Sequence, residues 1–278
     1  MGVLEPGNRR NLALRVASAV VLLPLALWIT WMGGLPFALL AAAAAAVAAA
    51  ELVMMFGAAG AGEVVAIAVA GALPLSAALG AGPGLFPAYT APGLALALVL
   101  LLAAFLFRRA PIESIPPRAA TAALSWLYCG LLVSTAVGLR RIGLAWILLA
   151  FVVTWGNDTL AYFAGHALGR HRMMERISPR KTWEGFAGGA VGSVAGALMC
   201  RYFLPELRAV TAGGMALLGA GAAVLGPLGD LCESLLKRAA GVKDSGRIIP
   251  GHGGLLDRID ALLFVAPWVY LWAAAAAR

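Results

Sequence analysis

Four of the chain's five aspartates, Asp230, Asp244, Asp257 and Asp260, fall between positions 230 and 260, in a protein that is only 12% charged. The stretch SLLKRAAGVKDSGRIIPGHGGLLDRID, Ser234–Asp260, adds Lys237, Arg238, Lys243, Arg247 and Arg258. Asp230, Glu233, Ser234 and Lys237 are spaced i, i+3, i+4 and i+7, which puts them on one face if the preceding apolar segment continues as a helix. Asp257 and Asp260 are i and i+3 at the start of the next apolar segment. Carboxylates on two facing helices at one depth suit Mg²⁺, which takes hard oxygens from one or two carboxylates and completes its shell with water and substrate phosphates. Asp230 and Asp257 are therefore the expected metal ligands. The lysines and arginines supply phosphate-binding charge, and His252, Gly253 and Gly254 sit where open backbone lets N–H groups approach an anion. Together these are the parts of a phosphoryl-transfer site.

Two more polar stretches accompany it. SPRKTWEG (Ser178–Gly185) places Arg180 and Lys181 beside a helix start at Thr182, and helix N-termini with a nearby lysine bind phosphate. TWGNDTLAYFAG (Thr154–Gly165) sets Asn157 and Asp158 inside an apolar run, where an acid costs about 2.5–3.5 kcal/mol and is functional by default. Glu51 has an equally good reading as an interfacial carboxylate that snorkels to the headgroups. His166 and His171 lack ligand spacing and read as interface residues. Cys129, Cys200 and Cys232 form no C-x-x-C pair and read as small buried hydrophobes.

The elements that must position these residues are membrane helices. The chain has 278 residues and is 62% hydrophobic, with a mean hydropathy of +0.89. Apolar stretches recur throughout, and a bilayer core about 30 Å thick needs roughly 20 helical residues. The pattern predicts an all-α polytopic membrane protein with about nine transmembrane helices: 12–32, 35–56, 63–80, 93–107, 119–138, 143–167, 185–204, 212–229 and 259–276. The third and fourth are the weakest. Residues 1–140 form an N-terminal group of about five spans. Residues 141–278 form a C-terminal catalytic region. With the N-terminus in the cytosol, sixteen of the 21 basic residues fall on the cytosolic side, the expected positive-inside bias. That topology gathers the polar loops 168–184 and 230–258 on one face as an active site. The net charge of +8 then marks loops, and no basic run interleaved with aromatics points to nucleic acid.

The block Ser234, Lys237-Arg238, Lys243-Asp244, His252-Gly253-Gly254, Asp257-Arg258-Ile259-Asp260 resembles the signature of the phosphatidate cytidylyltransferases (CDP-diacylglycerol synthases). GDLCES (Gly229–Ser234), WGNDTLAY (Trp155–Tyr162) and SPRKTWEG are similar to that family's other blocks. Residues 150–265 carry the resemblance; residues 1–140 share only apolar character. The resemblance implies a reaction of CTP with phosphatidate giving CDP-diacylglycerol and pyrophosphate. It also implies Mg²⁺, with K⁺ as a candidate second cation, a homodimer, and a bacterial cytoplasmic membrane location. The catalytic set it implies is Asp230, Lys237, Arg238, Lys243, Asp244, Asp257, Arg258 and Asp260. The substrate-binding set is Asn157, Asp158, Ser178, Lys181, Thr182, Glu233, Ser234, His252, Gly253 and Gly254.

Two rival classes are weaker. An ion-coupled transporter using Asp158 should show matching broken helices in two halves, but the polarity is all in the second half. A polyprenol kinase would use ATP and would not carry the 234–260 block, and no D-G-x-x-A-R run points to a CDP-alcohol phosphotransferase.

Overall fold

The computed structural model describes residues 6–57, 60–80, 84–108, 110–249, 251 and 253–277, with the side chains of 6–15 and 19 excluded. The elements are α1 (Pro6–Met32), α2 (Gly34–Met55), α3 (Ala61–Ala78), α4 (Thr90–Leu106), α5 (Ile115–Ser125), α6 (Leu132–Ile142), α7 (Leu144–Leu168), β1 (Arg172–Met174), β2 (Ser178–Thr182), α8 (Trp183–Phe203), α9 (Ala212–Ala239) and α10 (Leu256–Ala276). A π-helical turn, Trp126–Leu131, joins α5 to α6. The sheet is a two-stranded antiparallel hairpin with Arg172 opposite Thr182.

All nine apolar stretches are helical, but they are not equal. Among the described residues six helical segments are long and apolar enough to cross a membrane: Gly34–Met55, Ala61–Ala78, Ile112–Ile142, Leu144–Leu168, Ala212–Ala239 and Leu256–Ala276. This corrects the even count of nine. The apolar parts of α1 and α4, Val16–Met32 and Thr90–Leu106, are shorter. Helix α8 is glycine-rich and carries Glu184 and Arg201 at its ends. The fifth stretch is one helical run from 112 to 142, longer than the span expected over 119–138.

Helix α4 exposes Leu96, Val99, Leu102 and Leu106. Such a surface in water would aggregate; against lipid tails it is matched. The protein is an integral membrane protein.

Between lipid-facing helices the hydrophobic effect contributes little, so small residues and polar bonds hold them together. Helices α7 and α8 approach closely at Gly156 and Gly192: a Cβ on Gly156 would stand 3.0 Å from the Gly192 carbonyl oxygen. Ser193 on α8 then donates to the Val153 carbonyl on α7 at 2.8 Å. Helices α9 and α10 meet at Gly229, where a Cβ would stand 2.5 Å from the Asp260 carbonyl oxygen.

Pro227 lies inside α9. A helical proline lacks the N–H that would bond the carbonyl four residues back, and in a membrane that carbonyl needs another donor. Asn157, buried on α7, supplies it: its Nδ2 donates to the Ala223 carbonyl at 3.4 Å and to Ser193 Oγ at 3.3 Å. The Pro227 carbonyl itself accepts from Lys181 Nζ at 3.1 Å. The proline is thus the joint where α7, the hairpin and α9 meet, one turn before Asp230.

At the opposite end of the bundle, Arg140 Nε donates to the Thr30 carbonyl at 2.7 Å and Arg141 Nη1 to the Ala77 carbonyl at 2.8 Å, closing the C-terminal turns of α1 and α3.

Candidate active site

Helix α9 continues without a break to Ala239, beyond its apolar part, so the expected face forms. Ser234 Oγ donates to Asp230 Oδ1 at 3.2 Å. Lys237 pairs with the fully buried Glu233 on its own helix and, at 2.6 Å, with Asp257 Oδ1 on α10. Lys237 is therefore the ionic bridge between α9 and α10. The other Asp257 oxygen, Oδ2, accepts from Ser245 N at 2.9 Å, Ser245 Oγ at 3.0 Å and Gly254 N at 2.9 Å. Asp257 is 6% exposed and its acceptor capacity is used. The Gly254 N–H, expected to face an anion, faces this carboxylate.

Asp230 has a different setting. Its side chain is 42% exposed and its Oδ2 lies 2.8 Å from Lys181 Nζ. Asp158 is on the outward face of α7 beside the exposed Trp155 and Tyr162. Its neighbour Asn157 faces inward, so the two adjacent polar residues do separate jobs. Asp260 lies at the α9–α10 crossing and accepts from Ala261 N at 2.8 Å. The hairpin lysine thus pairs with the carboxylate of α9.

The two polar loops do come together. Besides the Lys181–Asp230 pair, Arg238 Nε donates to the Ile177 carbonyl at 3.4 Å across the hairpin turn. Ser178, Lys181 and Thr182 lie on β2. Thr182 is the N-cap of α8, accepting from Gly185 N at 3.1 Å, as its place before the glycine-rich helix predicts. His171 Nδ1 bonds Glu184 Oε1 at 2.6 Å and fastens the hairpin to α8. With the Arg170 and His171 N–H groups also donating, chiefly the His171 ring holds the Glu184 carboxyl down to about 2.

The loop between α9 and α10 presents Lys243, Asp244 and Arg247 as exposed residues, with Arg258 exposed just inside α10. Gly253 closes its tip, its carbonyl accepting from Ile249 N at 3.0 Å. His252, like Arg109 of the basic-residue count, lies outside the described residues.

Glu51 is the clearest departure from expectation. It does not snorkel; it is 1% exposed and reaches into the signature loop, accepting from Ser245 Oγ at 3.0 Å, Leu255 N at 2.9 Å and Leu256 N at 2.8 Å. Tyr128 was not singled out by its sequence context. It sits in the π-helical turn with its ring edge-on to Phe264 at 6.2 Å. Its hydroxyl is buried without a hydrogen-bond partner among the described residues, within reach of the charges of Asp260 and Glu233.

The arrangement joins open carboxylates, a paired lysine and an exposed cationic loop, and comparison with known proteins gives it a lineage. Residues 13–275 match the cytidylyltransferase family. The chain belongs to that family. It is 34% identical over 274 residues to a protein of Brucella abortus named phosphatidate cytidylyltransferase, covering 95% of this chain and 94% of that one. A Bacillus subtilis protein of the same name is 42% identical over 154 residues, 53% of this chain and 55% of the relative. One of Staphylococcus saprophyticus is 46% identical over 128 residues, 46% and 48% of the two chains. Similarity thus extends through the N-terminal half, where only shared apolar character was expected.

Proposed function

We propose that this protein condenses CTP with phosphatidate to give CDP-diacylglycerol and pyrophosphate in phospholipid synthesis. The observation that carries the reading is the Lys181–Asp230 pair, which joins the two polar stretches of the signature, within a chain similar along nearly its whole length to a protein of that name. A phosphate oxygen of phosphatidate attacks the α-phosphorus of CTP. The bond from that phosphorus to the β-phosphate bridging oxygen breaks, and pyrophosphate leaves. The lipid phosphate is already ionised near neutral pH, so the site needs no strong base. It must bring two anions together and neutralise charge as it shifts to the leaving group.

Arg238, Lys243, Arg247 and Arg258 provide that cationic surface, with Asp244 exposed beside it; Ser178, Thr182, Ser234, His252, Gly253 and Gly254 remain the proposed substrate-binding residues. Lys237, held by Glu233 and Asp257, keeps α9 and α10 in register beneath it. Mg²⁺ fits the donor chemistry. Asp230 has a partly exposed carboxylate, and α7 and α10 carry the further carboxylates Asp158 and Asp260. Asp257, the other expected ligand, is buried and bonded to Lys237, Ser245 and Gly254, and would act on the ion through its charge. Among the described residues no group of three His, Cys, Asp or Glu side chains could hold a metal ion, which suits an ion that takes most of its shell from water and substrate phosphates. When bound, it supplies charge neutralisation on the phosphates; K⁺ is a candidate second cation.

The proposed setting is a bacterial cytoplasmic membrane, a homodimer and a cytosolic site, with residues 1–140 as scaffold and 141–278 as the catalytic region. Helix α2 supports this orientation, since its start adjoins Arg140 and its end the signature loop. Asp158 beside exposed Trp155 and Tyr162 supports entry of the lipid sideways from the bilayer.

The test is purified protein in nanodiscs with phosphatidate and each labelled nucleotide in turn. CTP or dCTP should yield a CDP-lipid and an equal amount of pyrophosphate, with ATP and GTP inert. ATP-dependent phosphorylation of the lipid would overturn the reading.

A further inference from the structure

We infer that Glu51, on the second helix of the N-terminal half, is a positioning residue for the reaction: it anchors the signature loop and the first turn of α10. The inference rests on the proposed activity for its kinetic consequence, but its geometry stands independently.

A helix begins with N–H groups that have no partner within the helix. At α10 they are answered from outside. Leu255 and Leu256 donate to Glu51 at 2.9 and 2.8 Å, while Gly254 donates to Asp257 at 2.9 Å. A carboxylate at a helix N-terminus also meets the positive end of the helix dipole. Ser245 Oγ lies 3.0 Å from both Glu51 Oε2 and Asp257 Oδ2. One hydroxyl therefore touches both the acid on α2 and the acid at the start of α10.

The glycines of the loop take their place from the same carboxylate. A Cβ on Gly254 would stand 2.6 Å from Glu51 Oε2, and one on Gly246 would collide with Glu51 Oε1. Both glycines, of which Gly254 reads from sequence as open backbone for an anion, form a cradle for a side chain about 200 positions earlier. Lys243, Arg247 and Arg258 are carried by the segment so anchored, and Asp257, the partner of Lys237, is fixed by it. Moving the anchor would misplace cations that meet substrate without removing any of them.

Two variants test this. Glu51→Gln turns an amide N–H₂ toward N–H donors, and Ser245→Ala removes the shared hydroxyl while leaving both acids. Hydrogen exchange of residues 244–256 in nanodiscs should accelerate about tenfold in each variant: Glu51→Gln replaces the carboxylate to which the Leu255 and Leu256 N–H groups donate, and Ser245→Ala cuts the hydroxyl tie that holds the loop to both acids. In protein that remains monodisperse, kcat should fall about tenfold or more with KM for CTP and phosphatidate within about threefold, the mark of lost alignment rather than lost binding. The double variant should be no slower than Glu51→Gln alone. Unchanged exchange, kcat per folded molecule within about twofold of wild type, or additive losses would each overturn the inference. If Glu51→Gln fails to fold, Ser245→Ala alone decides by the same two readouts. A wild type that exchanges slowly at 244–256 but makes no CDP-lipid would refute the proposed activity and leave the anchor standing.

Discussion

Asn157 and Asp158 are adjacent, equally polar and opposite in duty. Asn157 repairs the backbone where Pro227 leaves the Ala223 carbonyl without a donor. Replacing it with Leu should leave that buried acceptor unsatisfied and cost about 1–3 kcal/mol of stability, read as a lower midpoint in thermal or denaturant unfolding of the solubilised protein. The same Asn157→Leu protein, where folded, should keep most of its turnover, which separates repair from chemistry. Lys181 joins a carboxylate and the Pro227 carbonyl. Lys181→Ala should therefore loosen the hairpin and raise the KM for substrate, since it removes a cation from the site and a tie from the fold together. The acids around Lys237 and Lys181 were legible from spacing alone, because i, i+3, i+4 periodicity is local. Their partners were not. Which of two lysines an aspartate meets depends on how the helices cross, and the Glu51 contact spans nearly the whole chain. The Pro227 signal was available: an interior proline announces a free carbonyl four residues earlier, and only its donor needed the structure.

At the scale of elements, the hairpin and α8 act as one unit with α7. Gly192 sets the closeness of that pair, so Gly192→Leu should force α7 and α8 apart, shift Asn157 from Ala223 and Lys181 from Asp230, and abolish both stable folding and activity. The check is whether the variant elutes as a monodisperse peak; a well-folded, active Gly192→Leu protein would contradict the close packing. Helix existence was legible throughout, since long apolar runs leave few alternatives. Lengths were less so. Residues 112–142 form one run because the proline-containing start of α5 and the π-helical turn at 126–131 do not interrupt it, and hydropathy does not register either feature. The weak third and fourth stretches formed as helices, and α8, unlike α7, α9 and α10, is not among the segments apolar enough to span, because glycine gives close packing in exchange for hydropathy.

For the whole molecule, Arg140 and the signature loop lie at opposite ends of α2, about 25 Å apart at 1.5 Å per residue. Reporter fusions at Lys243 and Arg140 should fall on opposite sides of the membrane, and one at Arg172 should agree with Lys243. Agreement of Arg140 with Lys243 would break the proposed orientation. Chelation of Mg²⁺ should stop turnover without unfolding the protein, because the helices are held by bonds in which the ion has no part. The most direct test of the central claim is the turnover of Asp230→Asn with CTP and phosphatidate, measured as CDP-diacylglycerol formed per folded molecule. The substitution keeps size, and the amide can still hydrogen-bond, but it removes the negative charge of the one carboxylate of the expected pair that stands open. The account predicts a loss of about a hundredfold or more with normal folding and membrane insertion. Turnover within a few fold of wild type would show that the chemistry is not carried by the acids and cations gathered at the ends of α9 and α10.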